Sequence, residues 1–351
     1  MKRLIEEWHP QNYIIMALPH KKTDWNYIFE EVIKQYNNIL ETFIENDVRV
    51  IILSQNPETD KHLISEKVVN NIFLIKCDFN DTWTRDYIFL SLEENNNPKA
   101  IDFGFNGWGL KFAADKDNLV NAILSQKGFI HREKYSNQRE FILEGGSIES
   151  DGKGLILTTT RCLCSPNRNG GLNKKEAGEE LLKRLGAKKV LFLDYGYLEG
   201  DDTDSHIDTL ARLIPGNRIV FTGCQDPDDS HNEELNRMKQ QLEKFTNLED
   251  QKFELIELPL PDPIFDEEGN RLPATYANFL FYNKKLFLPV YNQPEKDKLA
   301  IDILKKALPD YKIIEIDCTT LIKQHGSLHC ATMQVPEGFI NISFLQDRKE
   351  I

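Results

Sequence analysis

Polar side chains stand where buried strands should begin. Asp86, Glu144, His206 with Asp208, and Cys330 each fall at the head of an apolar run that reads as the first strand of a hairpin. Their spacing is roughly 60 residues with one interval doubled, and Tyr276 and Asn278 hold the equivalent place in the skipped interval. Singly, each has a bland reading, since cysteine packs as a small hydrophobe and most acids lie on solvated faces. As a set they mean more, because burying acids in strands is costly unless a cation or donor pairs them. A thiolate is a soft nucleophile, and an imidazole can protonate a leaving amine and then deprotonate a water. The carboxylates point to the substrate: a guanidinium is planar, permanently cationic and offers N–H donors that match carboxylates two at a time. Asp86 and Asp208 gripping one guanidinium would turn its central carbon toward Cys330, with Glu144 orienting or charge-tuning His206. The expected reaction displaces ammonia to give a covalent S-alkylthiouronium, which water converts to a ureido product.

Residues so far apart in sequence need a repeating scaffold to meet. The order helix, strand, hairpin recurs five times. Residues 26–46 read as a helix, followed by strands VRVIIL and NIFLIKCD and a hairpin over TWTRDYIFLSLEENNNPKAIDFGF. A helix over 115–128, ended by Gly128, leads to a strand GFIHREKY and a hairpin FILEGGSIESDGKGLILTTT turned at DGKG. The third pass is LNKKEAGEELLKRLG, KKVLFLDY and DSHIDTLARLIPGNRIVFTG; the fourth is HNEELNRMKQQLEKF, QKFELIELPL and TYANFLFYNKKLFLPVY. The fifth is EKDKLAIDILKKALP, DYKIIEIDC and a hairpin within HGSLHCATMQVPEGFINISFL. One such unit cannot bury its own sheet, so the repetition predicts an α/β chain arranged radially as a single closed domain over 1–351. A doubly wound sheet is the alternative; against it, no GxGxxG or GxxxxGK[ST] follows any strand.

The 351 residues carry 43 Lys and Arg against 56 Asp and Glu, a net charge of −13. An acidic surface opposes sequence-independent nucleic-acid binding, which needs basic groups to displace counterions, and favours a cationic ligand. With 40% hydrophobic residues and 28% charged, disordered classes are excluded. The run Tyr13 to Leu18 is too short for a leader core or a membrane span, and six dispersed cysteines do not form a disulfide scaffold. A cytoplasmic protein with no membrane association is expected, and two-fold assembly is the default.

Several motifs carry a resemblance that covers essentially the whole chain in order. WTRD (83 to 86), LEGGSIESDGKGLILTTTRCLC (143 to 164), the RN of PNRNGGLNKKE, GDDTDSHIDTLARLIPG (200 to 216), PATYANFLF and GSLHCATMQVP are similar to the successive motifs of agmatine deiminases. That family is related to the Porphyromonas-type peptidylarginine deiminases of the guanidine-modifying, or pentein, superfamily. The resemblance implies a five-unit pseudo-symmetric αβ-propeller and conversion of agmatine to N-carbamoylputrescine and ammonia, with no cofactor or metal. It places the nucleophile at Cys330, the general acid and base at His206, the supporting carboxylate at Glu144 and the guanidinium-binding pair at Asp86 and Asp208. Trp83 would wall the substrate channel, and Asp202 falls where the family often has Glu near the distal amine. Where the family commonly has a glycine-rich GGGN run and IHC, this chain has His325 to Cys330, and SHID replaces the commoner GHVD.

The segment Glu199 to Asp204 contains no Lys or Arg, so an arginine carboxylate there would lack a partner whereas the amine of agmatine would find one at Asp202. Arginine or peptidyl-arginine deimination, and amidino transfer on the same architecture, are the alternatives. A metal site is a weaker rival: Cys162 and Cys164 form C-x-C on a predicted strand, and His325 and His329 sit four apart beside Cys330, but neither has a closed zinc-ligand pattern.

Overall fold

The computed structural model describes residues 2–346. Its strands follow one plan: an antiparallel pair, the second member of which is joined in parallel by a further strand. Leu90–Glu94 pairs antiparallel with Asn97–Gly104, which pairs parallel with Tyr135–Ile142. The same arrangement holds for Ile148–Ser150, Leu155–Thr159 and Lys189–Leu193; for Ala211–Ile214, Arg218–Gly223 and Glu254–Pro259; and for Leu280–Tyr282, Lys285–Val290 and Lys312–Asp317. The helices predicted between passes form at Phe29–Glu45, Val120–Gln126, Lys174–Leu185, Asn232–Leu242 and Pro294–Ala307. Their ends follow local chemistry. Asn173 and Glu176 make a reciprocal capping box at the start of the third helix, and Gly186, at φ 70°, ends it in a left-handed turn.

The chain divides into two compact units, one of Met1–Trp8 with Gly146–His329 and the other of His9–Gly145 with Cys330–Ile351. The first unit holds three of the passes, the second two. In the second unit, Gln11–Ala17 and Val50–Ser54 are buried along their whole length, as expected of parallel strands covered on both faces.

The fifth hairpin is not the one predicted. Met333–Pro336 pairs antiparallel with Gln11–Ala17, with Met333 opposite Ile15 and Val335 opposite Tyr13, rather than with the FINISFL segment, where Ile342–Gln346 is helical. Local patterning shows that a strand exists; it does not show that its partner lies at the other end of the chain. The second pass also differs. GFIHREKY is largely a turn anchored by the buried Phe129 and Ile130, and the strand is the mostly polar Tyr135–Ile142, half-exposed and so lacking an apolar signature. The hairpin turns behave as predicted: Asn95 and Asn96, at φ 51° and 64°, supply the left-handed pair of a two-residue turn.

Candidate active site

The polar residues that appeared to begin strands in fact precede them, in short turns. Asp86 lies in the single helical turn Thr84–Tyr87, ahead of Leu90–Glu94. Glu144 lies between Tyr135–Ile142 and the 3-10 turn Gly145–Ser147. His206 and Asp208 lie at and within the 3-10 turn Ile207–Thr209, and Cys330 lies before Met333–Pro336. Burial, which an apolar run signals, extends through these turns, while ladder pairing starts only afterwards.

Within the second unit, three of these residues gather around the backbone of Arg85, through its N–H on one side and its carbonyl on the other. The N–H of Arg85 donates to the carbonyl oxygen of Cys330 at 3.1 Å. The carbonyl oxygen of Arg85 lies so close to Gly145 that a Cβ there would stand 2.2 Å from it. The backbone beside Asp86 thereby fixes both the Cys330 loop and the Glu144–Gly145 turn. Asp86, Glu144 and Cys330 are all buried. Arg85 is itself buried, its guanidinium donating to Met333 Sδ and Gln334 Oε1 across the turn.

Trp108, which sequence reasoning passed over, donates from Nε1 to Asp86 Oδ2 at 2.8 Å. It is presented by four consecutive left-handed residues, Gly107 to Leu110, with φ of 68°, 54°, 83° and 67°. Glycine is needed at 107, where a Cβ would meet the Phe112 carbonyl oxygen at 2.1 Å. Asn106 closes the turn by accepting from Gly109 N at 3.0 Å, and Phe105 and Phe112 pack edge-on to the indole. Trp83 is buried against Trp25 with ring centres 5.7 Å apart, and Trp25 Nε1 donates to Thr82 Oγ1.

Within the first unit, His206 and Asp208 are fully buried at the end of a tightly bonded loop. Asp204 and Ser205 take left-handed φ of 67° and 64° just before His206. Asp201 accepts from Thr203 Oγ1 at 2.5 Å and from Ser205 N at 2.7 Å, and Thr203 Oγ1 accepts from His206 N at 3.0 Å. The buried Arg168 clamps the loop from outside, with Nη1 2.5 Å from Asp204 Oδ2 and Nη2 3.0 Å from the Thr203 carbonyl oxygen. Asp201 and Asp204 are therefore structural groups, not a solvated run. Asp202 stands between them and is half-buried. A ring nitrogen of His206 lies within 4.8 Å of Cys162 Sγ, and Cys162 sits in the short helix Thr160–Leu163 rather than on the strand predicted for the C-x-C pair.

Asp208 Oδ2 lies 2.7 Å from His329 Nδ1. Burial alone would raise its carboxyl, but the bond to His329 and the charges of His329, His206 and Arg212 outweigh it and hold the group below the ordinary carboxylate value. The two histidines considered as metal ligands have other work: His325 Nδ1 lies 2.7 Å from the Gly200 carbonyl oxygen, and His329 is held between Asp208 and Glu7. The skipped pass supplies support rather than chemistry. Tyr276 donates to Asp297 Oδ1 at 2.7 Å, and Asn278 Oδ1 accepts from His329 N at 2.9 Å, steadying the residue before Cys330.

A family model for Porphyromonas-type peptidyl-arginine deiminases matches residues 3–336. The chain belongs to this family. A Vibrio parahaemolyticus protein named "Putative agmatine deiminase" is 31% identical, over 94% of this chain and 95% of its own. An agmatine deiminase from C. jejuni, solved as a Cys-to-Ser variant with substrate bound, is 39% identical over 97% of each chain, with a TM-score of 0.89. The structure named "Putative Arginine Deiminase" from Porphyromonas gingivalis is 40% identical over 97% of this chain and 100% of that one, with a TM-score of 0.90. The α/β class and the resemblance read from the motifs both stand. Arg85, Arg168 and His329 lie inside the quoted motifs without a role of their own there, and Trp108 and Glu7 lie outside them; each acts on another residue's placement.

Proposed function

We propose that the protein hydrolyses agmatine to N-carbamoylputrescine and ammonia through a covalent intermediate on Cys330. The observation that carries the reading is the near full-length similarity to the C. jejuni agmatine deiminase with substrate bound. The gathering of Asp86, Glu144 and Cys330 about the Arg85 peptide supports it chemically. In the reading, Asp86 and Asp208 pair with the guanidinium and the Cys330 thiolate attacks its central carbon. His206, supported by Glu144, gives a proton to the departing nitrogen, so that ammonia leaves and an S-alkylthiouronium remains. A water then adds to that carbon while His206 takes one of its protons, and the C–S bond breaks to return the thiolate as the second proton passes to solvent, releasing the ureido product. Trp83 walls the channel and Asp202 meets the distal amine. Side chains supply all of this chemistry.

The architecture that goes with this reading is a five-unit αβ-propeller forming one domain over 1–351, supported by the fivefold recurrence of one strand plan. A cytoplasmic location is proposed with it, in keeping with Cys77, Cys164, Cys224 and Cys318, which form no disulfide, and so is a homodimer. No helix among the described residues is long and apolar enough to cross a membrane. The test offers the purified protein agmatine, free arginine and a peptidyl arginine and measures ammonia and ureido product from each, without an acceptor amine. Agmatine is expected to give the highest kcat/KM, with an adduct on the Cys330 peptide after acid quench. Preference for either arginine substrate would move the assignment to that substrate, and an absolute requirement for an acceptor amine would indicate amidino transfer.

A further inference from the structure

A buried line of charged groups runs through the first unit behind Asp208. His329 Nδ1 faces Asp208 Oδ2 at 2.7 Å, and Nε2 of the same ring faces Glu7 Oε1 at 2.5 Å. The second oxygen of Glu7 lies 2.5 Å from Arg212 Nη2, and Arg212 Nε lies 2.5 Å from Glu149 Oε1. Arg212 also donates to the carbonyl oxygens of Ala277 and Phe279 at 2.9 and 2.7 Å. His329, Asp208, Arg212 and Glu149 are buried, and the Glu7 side chain keeps 13% of its exposure. A ring with a carboxylate oxygen at each nitrogen donates to both only as an imidazolium, which carries two N–H groups.

The rival arrangement has Nε2 accepting from Arg212 Nη2, 3.2 Å away. The proton between the ring and Glu7 would then sit on Glu7, although the other oxygen of that carboxylate rests on a guanidinium, which favours its ionised form. Charge supports the first arrangement. Burial pushes Glu149 up to about 8, with the charge of Glu7 adding and that of Arg212 opposing. Glu7 and Asp208 thus flank the ring at its two nitrogens, with Arg212 and Glu149 beyond Glu7. Asp208 meets the ring from the turn Ile207–Thr209, Arg212 from Ala211–Ile214 and Glu7 from beyond Lys2–Leu4, while Asn278 fixes the backbone N–H.

We infer that Glu7 holds His329 as an imidazolium, making His329 the positioning residue that sets the Asp208 carboxylate for a guanidinium ligand. The torsion of a carboxylate about its last bond is soft, and a charge-assisted bond to one oxygen fixes the plane in which the other accepts. The inference rests on the deiminase reading only for the nature of the ligand.

The test uses the full chain in two measurements. In the first, long-range ¹H–¹⁵N spectra of histidine-labelled protein at pH 7.5, assigned with His329→Gln, are expected to show both ring nitrogens of His329 protonated. In the second, Glu7→Gln is compared with wild type on whichever guanidine the wild type turns over. We expect KM to rise about tenfold at pH 8 and under about threefold at pH 6, with kcat within about threefold, the imidazolium surviving only at the lower pH. Glu7→Asp is expected to recover most of the KM. A single protonated nitrogen on wild-type His329 would overturn the proposal, as would a KM change equal at both pH values, which marks a purely structural role. If no guanidine is turned over, the deiminase reading fails while the spectrum still decides this one, and the spectrum also decides it should Glu7→Gln fail to fold.

Discussion

Asp204→Asn isolates the contribution of charge to the loop that delivers His206. Asparagine tolerates the left-handed backbone that Asp204 adopts at φ 67°, so the substitution removes the charge while keeping the conformational preference. What remains is the fully buried Arg168 guanidinium, which loses the Asp204 charge at Nη1 while the Thr203 carbonyl still lies 3.0 Å from Nη2. Removing one partner of a buried ion pair costs about 3 to 5 kcal/mol. The Asp204 side chain is 23% exposed, which places this case near the lower end, at about 3 kcal/mol. An unfolding entropy of about 2.1 cal/mol/K per residue over this chain converts that to a fall of about 4 °C in Tm. Thermal scans by circular dichroism would read it directly. Because His206 follows two residues later and donates its backbone N–H to Thr203, kcat is also expected to drop by about tenfold or more as the imidazole loses its placement. The double variant Arg168→Met with Asp204→Asn removes both charges of the pair and should recover most of the Tm, yet not the turnover, since the clamp on the Thr203 carbonyl has gone. A single variant melting within about 1 °C of wild type would refute the idea that this pair holds the loop.

Gly145→Ala should leave the protein folded but lower kcat by about a hundredfold, because the new Cβ would force apart the Glu144 turn and the Arg85 peptide that carries Cys330; unchanged turnover would show that the contact relaxes without cost. Trp108→Phe keeps the ring packing and deletes one bond to a carboxylate, so KM for the guanidine should rise about tenfold or more while kcat changes little, measured by steady-state ammonia release. Asp202→Asn should erode the preference for agmatine over free arginine, read as the ratio of the two kcat/KM values. Glu149, pushed up to about 8 chiefly by burial, keeps in the folded chain a proton that the unfolded chain releases near its ordinary value of 4.5. Stability therefore falls as pH rises through that window, and Glu149→Gln should flatten the decline in urea midpoints taken from pH 5 to 8.

What was legible in the sequence divides along a physical line. Cys330, His206, Asp208, Glu144 and Asp86 stood out because each interrupts a run whose neighbours are apolar, and a polar group there calls for a reason. Their exact setting was not legible, since the same apolar pattern marks a buried turn and a buried strand alike. Periodicity found the helices, whose i, i+3 and i+4 positions are local, and it found hairpins whose turns carry their own signal, such as Asn95 and Asn96. It failed at Met333–Pro336, whose partner Gln11–Ala17 is distant in sequence, and at Tyr135–Ile142, whose half-exposed faces leave little apolar contrast. The supporting residues lay further out of reach. Glu7 looks like an ordinary surface charge until the structure shows it turned inward, Arg168 sits in a quoted motif but shows its bond to Asp204 only in the fold, and Trp108 looks like a loop aromatic until four left-handed residues aim its N–H at Asp86. Groups that perform chemistry are constrained by type and so leave a mark on the sequence. Groups that position them are constrained by direction, and direction exists only once the backbone has folded.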